Sequence, residues 1–429
     1  MNIVMLTNTY LPHVGGVARS VEAFARHYRR LGHQVLIVAP VFDDQPENET
    51  TVIRIPAIQH FNGSDFSVAL PVSGLLTDEL DRFRPDIVHA HHPFLLGMTA
   101  LRIARFRELP LVFTHHTLYE QYTHYVPGDS PALQRFVVEL ATCYANLADQ
   151  VIAPSESIAD LIRERGVVSP INVVPTGVEI DQFATGNGRA IRDRFGMAED
   201  DVVIGHLGRL APEKNLTFLI EAVGRFLRMR PSAHFLVVGA GPSETEIKGF
   251  FERAGLGDRL HLTGSLQGQA LIDAYHAMDI FAFASKSETQ GMVLTEAMAA
   301  GLPVVALDAS GVREVVRDKV NGRLLMEESI EAFAEALEWM VSRSKPRKDD
   351  VAKEIRRTAE AFSMTSSATK AIGLYEALRS KRFDPQTDAY AEWEGLLHLI
   401  ETEWDIVKSM ADAVGAGLGI SGTTGDTTR

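Results

Sequence analysis

Short apolar runs alternate with amphipathic stretches over most of this 429-residue chain. In the first half the runs are residues 3–6, 35–39, 52–55, 87–89, 111–114, 151–153 and 171–174; in the second they are 202–207, 235–239, 260–263, 280–284 and 304–307. Runs this short and this continuously apolar read as strands buried on both faces, and the stretches between most of them read as helices. The alternation predicts an α/β chain with two parallel sheets wrapped by helices. The boundary is expected between residues 175 and 201, where Asn187-Gly188 and a charged stretch interrupt the pattern. This gives an N-terminal domain over 1–180 and a C-terminal domain over 181–361. A helix over 362–382 is expected to return toward the first domain. Beyond it, Trp393, Leu396, Leu397, Ile400, Trp404, Val407 and Met410 fall at three- and four-residue steps, which predicts an acidic amphipathic helix over 383–412. That stripe suits a packing or oligomer contact, with a membrane-surface helix as the second reading. The Gly/Ser/Thr-rich end, 413–429, is expected to be disordered.

Charge and composition narrow the partners. The formal charge is −14, and nine Asp/Glu against Lys408 and Arg429 place −7 of it after residue 382. Nucleic acid is therefore not the expected partner, because phosphate contacts need a clustered basic surface. Residues 1–180 hold no lysine, yet Arg19, Arg26, Arg29 and Arg30 cluster on one segment and Arg102, Arg105 and Arg107 on another. Such clusters face an anion or form a solvated helix face. The single cysteine, Cys143, excludes an internal disulfide and fits a reducing compartment. Without a basic leader or an 18-residue apolar stretch, a cytoplasmic chain is expected.

In a parallel sheet the loops that follow strands carry the ligand site. Ser-Glu-Thr-Gln-Gly-Met-Val-Leu-Thr-Glu, residues 287–296, places Glu288 and Glu296 across a glycine turn that opens a helix. Backbone N–H groups around Gly291 and Met292 suit a diphosphate, and the carboxylates suit sugar hydroxyls. Ser285-x-x-Glu288 also fits a helix capping box, with Glu296 on an ordinary solvated face. After the first strand, Gly15 and Gly16 precede a helix, as either an anion site or a tight turn. After the 202–207 run come Gly208, Arg209, Glu213 and Lys214, where the two cations can converge on a diphosphate or Lys214 can form a surface pair with Glu213. Histidines concentrate at two strand ends, His89, His91 and His92, and His115 and His116. With no cysteine partner they read as hydrogen-bonding groups rather than zinc ligands, so no metal is expected. Gly239-Ala-Gly241-Pro-Ser-Glu departs from the dinucleotide fingerprint at its third glycine.

These loops, taken together, resemble the retaining, nucleotide-sugar-dependent glycosyltransferases of family 4, from Met1 to about Leu378. The resemblance implies two Rossmann-like domains facing across a cleft, the GT-B fold. It implies that Arg209 and Lys214 bind the donor diphosphate, with Gly208 in the same loop, and that Glu288 holds donor sugar hydroxyls. Glu296 would hold the ribose, and backbone at Gly291, Met292 and Val293 would contact phosphate or sugar. Gly15 and Gly16 would approach from the other domain, and His116 would contact the donor sugar and assist the reaction. In such enzymes the leaving diphosphate takes the acceptor proton on the face of attack, so neither a metal nor a cofactor is implied; the nucleotide sugar is a substrate. The segment from His115 to Pro127, with Pro93-Phe94-Leu-Leu-Gly and Glu288-Thr-Gln-Gly, is similar to the bacterial diacylglycerol glucosyltransferases. That implies UDP-glucose as donor, a lipid acceptor, and a peripheral position on the inner face of the membrane. His92, Tyr119, Tyr122 and Tyr125 would then line the acceptor side, since tyrosine suits a boundary between apolar and wet surroundings. A soluble or phosphatidylinositol-like acceptor with GDP-mannose, and a nucleotide-sugar-binding protein without turnover, are the rival readings. Closure of the domains over the donor is expected, because the donor groups come from both halves.

Overall fold

A computed structural model describes residues 1–13, 15–58, 68–69, 76–121, 123, 130–344 and 348–380. Tyr122, Tyr125, the 383–412 helix and the 413–429 tail lie outside these residues.

The N-terminal sheet has seven parallel strands in the order β3-β2-β1-β6-β7-β8-β9. They are β1 (Asn2–Leu6), β2 (Gln34–Pro40), β3 (Val52–Ile55), β6 (Ile87–Ala90), β7 (Leu111–Thr114), β8 (Gln150–Ala153) and β9 (Ile171–Val173), and β4 (Ala57–Ile58) pairs antiparallel with β5 (Val68–Ala69) beside them. Helices α1 (Gly16–Arg30), α2 (Thr77–Phe83), α3 (Leu96–Phe106), α4 (Pro131–Asn146) and α5 (Glu156–Glu164) connect and cover it. The C-terminal sheet has six strands in the order β12-β11-β10-β13-β14-β15. These are β10 (Val202–Leu207), β11 (Ala233–Val238), β12 (Leu260–Leu262), β13 (Ile280–Phe283), β14 (Val304–Leu307) and β15 (Gly322–Leu325). Around it lie α6 (Ile180–Phe183), α7 (Gly188–Arg194), α8 (Leu216–Met229), α9 (Glu244–Arg253), α10 (Gly268–Ala277), α11 (Met292–Ala299), α12 (Ile330–Ser344) and α13 (Lys348–Ala361).

Central strands such as β1, β6, β10 and β13 are buried on both faces, which is why they read as unbroken apolar runs. The strand β15 has no such run. Gly322 sits against the Val304 carbonyl, where a Cβ would come within 2.1 Å of that oxygen, so close approach of the backbone defines this edge strand.

Each sheet reverses its winding once, between β1 and β6 in the first and between β10 and β13 in the second. At such a reversal neighbouring connections leave on opposite faces and open a crevice beyond the carboxyl ends of the strands. The loops after these four strands carry Gly15-Gly16, His91-His92, Gly208 to Lys214 and Glu288 to Gly291.

The chain crosses between domains twice at one place. Val178 N–H donates to Phe362 O at 2.8 Å, and Met364 N–H donates to Val178 O at 3.0 Å. From there α14 (Met364–Ser380) lies along α1 in the N-terminal core, where Tyr28 and Tyr375 are fully buried with their hydroxyls 3.1 Å apart.

Candidate active site

Glycine 291 shapes the loop that follows β13. It stands at φ +70, in the left-handed region that favours glycine, immediately before α11. The chain turns there instead of continuing a helix from Ser285, so no capping box forms at Ser285-x-x-Glu288. Glu288 is turned back to Lys214, with Oε1 accepting from Nζ at 2.6 Å. Lys214 lies in a 3-10 turn, Pro212–Lys214, ahead of α8, and its carboxylate partner is Glu288 of a different strand loop. Both side chains are under one-fifth exposed, so solvent screens the pair less than a surface pair. Arg209, on the same loop, is exposed.

Eight residues beyond Glu288, Glu296 is buried on α11. One carboxylate oxygen accepts from Tyr275 OH at 2.8 Å, and the other accepts from Arg19 Nη2 of the N-terminal domain. The Tyr275 hydroxyl also reaches the Val293 carbonyl at 3.3 Å, and burial beside Glu296 keeps it un-ionised. Gly16 opens α1, whose N-terminus has neither a side-chain cap nor an acidic residue in its first turn. A Cβ at Gly16 would meet nothing within 4 Å, so packing within the protein does not demand glycine there. The uncapped N–H groups and the bare backbone leave room for an anion.

The histidines separate by their hydrogen bonds. His89 is locked in the core, with Nε2 on Thr114 Oγ1 at 2.7 Å and Nδ1 on Tyr375 OH at 2.7 Å. His115 is buried edge-on to Phe113. His91 is buried and shares a proton with His116, Nδ1 to Nε2 at 2.9 Å. The other His91 nitrogen is buried without a partner. A buried N–H left unpaired costs more than a buried lone pair, so His91 donates from Nδ1 and the His116 proton resides on its own Nδ1. His92 accepts the Asn8 N–H on Nδ1 at 3.1 Å, which leaves Nε2–H as its remaining donor. Burial lowers all of these histidines: His89 and His92 to about 3, His115 to about 4, and His91 and His116 well below the ordinary value. His92 and His116 are thus neutral N–H donors. Tyr119 packs against Phe94 and His115 with its hydroxyl buried. Among the described residues no group of three or more His, Cys, Asp or Glu is arranged to hold a metal ion.

The domains meet at this site through polar contacts. The Gln290 side chain pairs with the Thr176 backbone in both directions, accepting its N–H at 2.6 Å and donating to its carbonyl at 2.5 Å. Thr289 donates to His116 O at 2.9 Å, and Ser155 donates to Thr289 O at 2.7 Å. Glu314 accepts the N–H groups of Glu156 and Ser157, each at 2.8 Å, and so caps α5 from the other domain. Sequence reasoning missed Gln290, Thr176, Tyr275, Glu314 and His206, the last of which is buried with Nδ1 donating to Ala282 O at 3.1 Å. Gln290 alone carried a signal, since it lies inside the Glu288 to Glu296 stretch. Of the arginine clusters, Arg26 and Arg30 pair with Glu179 in the linker and Arg29 donates to Val35 O. Arg105 donates to Leu147 O, and Arg107 donates to Thr77 O and pairs with Asp81. Only Arg19 reaches the site.

Residues 14–182 match the model of Glycosyltransferase Family 4, and residues 188–358 match that of Glycosyl transferases group 1. The alpha-monoglucosyldiacylglycerol synthase of Streptococcus pneumoniae R6 is 30% identical over 330 residues, covering 76% of this chain and 75% of that protein. The chain is a family-4 glycosyltransferase. The transferase is also 28% identical to the GDP-mannose-dependent alpha-mannosyltransferase of Mycobacterium tuberculosis, over 89% of this chain and 98% of that protein. Its fold matches Anabaena HepE, solved in complex with UDP-glucose, at a TM-score of 0.69 and 20% identity, over 87% of this chain and 99% of that one. This is the GT-B fold, and family 4 retains the anomeric configuration of the sugar that it transfers. Among the described residues no helix is long and apolar enough to cross a membrane.

Proposed function

We propose that this transferase moves a glucosyl group from UDP-glucose to 1,2-diacylglycerol at a membrane surface, with retention at the anomeric carbon. One observation carries the donor half of this reading: the Lys214–Glu288 pair, Glu296 and the open N-terminus of α1 meet where the two sheets reverse their winding. The lipid half is supported by the 30% identity to a monoglucosyldiacylglycerol synthase.

In this reading Arg209, Lys214 and the backbone at Gly15, Gly16 and Gly208 hold the diphosphate. Glu288 and the backbone at Gly291, Met292 and Val293 hold the sugar, and Glu296 holds the ribose. The acceptor hydroxyl attacks the anomeric carbon on the face the diphosphate leaves. The bond from that carbon to the phosphate oxygen breaks, a bond to the acceptor oxygen forms, and the acceptor proton passes to the departing phosphate. Cations and helix N–H groups aimed at the leaving oxygens stabilise their growing charge without moving. His116, a neutral N–H donor, serves a sugar oxygen rather than acting as a base. His92 and Tyr119, with Tyr122 and Tyr125, belong to the acceptor side.

GDP-mannose is the second reading for the donor, favoured by the mannosyltransferase relative that matches over 98% of its own length. A panel of radiolabelled nucleotide sugars with diacylglycerol in mixed micelles separates them. Organic-soluble label from UDP-glucose supports the proposal, and label from GDP-mannose alone replaces the donor. Donor hydrolysis without lipid product overturns the lipid acceptor. No release of nucleotide from any donor favours a binding protein without turnover.

A further inference from the structure

The donor site as assigned above has two cations, Arg209 and Lys214, and two carboxylates, Glu288 and Glu296. The carboxylates offset the cations, so these four side chains together attract an anionic diphosphate less than Arg209 and Lys214 would alone. A fifth charge stands among them. Arg19, on the first turn of α1 three residues beyond Gly16, reaches across the domain boundary to Glu296. The carboxylate is 5% exposed while the arginine side chain remains 37% exposed. Among the described residues Nη2 makes the one hydrogen bond of the guanidinium, and neither Nε nor Nη1 is among the buried unpartnered atoms. A guanidinium has five N–H groups, so Arg19 can hold Glu296 and an oxyanion at once. Glu296 likewise has capacity left. Arg19 and Tyr275 each occupy one of its oxygens, and each oxygen keeps a second lone pair for a diol.

We propose that Arg19 is a donor-binding residue supplied by the N-terminal domain, which aims Glu296 and adds a positive charge that attracts the donor diphosphate. This rests on the donor-site assignment made above. Arg19 differs in kind from Gly15 and Gly16, which approach the donor with backbone only. It also makes donor binding a direct link between the domains: one side chain touches a carboxylate of one half while its backbone belongs to the helix that opens on the phosphates in the other.

The test is calorimetric titration of the full chain with UDP and with GDP over a range of salt concentrations, for the wild type and for Arg19→Met, Arg19→Lys, Glu296→Gln and Lys214→Ala. Loss of a charge-assisted hydrogen bond is worth about 1.5–3 kcal/mol, so Arg19→Met should weaken binding of the preferred nucleotide by roughly tenfold to a hundredfold. Arg19→Lys should recover part of it. The salt dependence should also become shallower in Arg19→Met, a change that loss of a merely structural contact would not produce. Arg19→Met binding within twofold of wild type, with an unchanged salt slope, would overturn the proposal, and so would tighter binding. If Lys214→Ala and Glu296→Gln weaken binding while Arg19→Met does not, the donor site stands and Arg19 leaves it. If none of the variants changes affinity, the donor-site assignment fails first. Should Arg19→Met fold poorly, Arg19→Gln, which removes the charge but keeps a polar side chain, is read against the same outcomes.

Discussion

The two faces of the cleft use different chemistry. In the proposed reaction the C-terminal face supplies charge, through Lys214, Glu288 and Glu296, half-buried or buried and paired. In the proposed reaction the N-terminal face supplies, beside the single cation Arg19, the neutral imidazoles His92 and His116, which burial keeps un-ionised and hydrogen bonds hold in one tautomer. A diphosphate that leaves with the bonding electrons needs fixed positive charge. A sugar or an acceptor hydroxyl needs donors that do not titrate. The contrast bears on stability too: the charged groups on the first face are matched by partners, while the buried imidazoles on the second are stable only while they stay neutral.

The largest effect expected from this contrast is acid lability of the N-terminal domain. A histidine lowered by folding favours the folded state fully above its unfolded value near 6.5. That contribution is lost as pH falls from there toward the folded value, because the unfolded chain takes up the proton first. For His89, His92 and His115, lowered to about 3, 3 and 4, the loss by pH 5 is about 2 kcal/mol each. His206 and His261 add less to the C-terminal domain by number, though each is lowered to about 4. Calorimetry between pH 7 and 4 should show the N-terminal domain unfolding first. Simultaneous unfolding, or the C-terminal domain leading, would break the comparison.

Next in size are the charged residues. Lys214→Ala should lower the transfer rate by roughly 10²–10³, the usual cost of one group removed from transition-state charge. Glu288→Gln should fall similarly, and the double variant by much less than the product, because each leaves the other unpaired. His116→Phe, which removes one preorganised N–H donor, should cost about 10² in turnover while UDP affinity changes little. The smallest effect belongs to Gln290→Ala. Removing its paired contacts to Thr176 should cost about 1–3 kcal/mol of domain association. Small-angle scattering should then report a wider spread of domain separations, with nucleotide sugar narrowing it in the wild type. A profile that the variant leaves unchanged would remove Gln290 from that role.

Much of the fold was legible because parallel strands buried on both faces leave unbroken apolar runs, and the loops after β1, β10 and β13 carry glycines and charges of recognisable spacing. The strand β15 was not, since Gly322-Arg-Leu-Leu is an edge strand defined by what its backbone touches. Among site residues, Lys214 and Glu288 were named singly, but their pairing across two strand loops was not, because Glu213 was the nearer carboxylate in sequence. Five histidines looked alike along the chain. Only their partners, Thr114 and Tyr375 for His89 and Asn8 for His92, distinguish a core histidine from one that keeps a free donor. Gln290, Thr176 and Arg19 act across the domain boundary, which no local pattern encodes.

The most direct measurement is the affinity for UDP of Lys214→Ala and His116→Phe, set beside their transfer rates under saturating acceptor. The division of the cleft predicts that Lys214→Ala loses both binding and turnover, while His116→Phe binds UDP within about twofold of wild type and loses turnover. Equal loss of UDP affinity in the two variants, or wild-type turnover in His116→Phe, would contradict it.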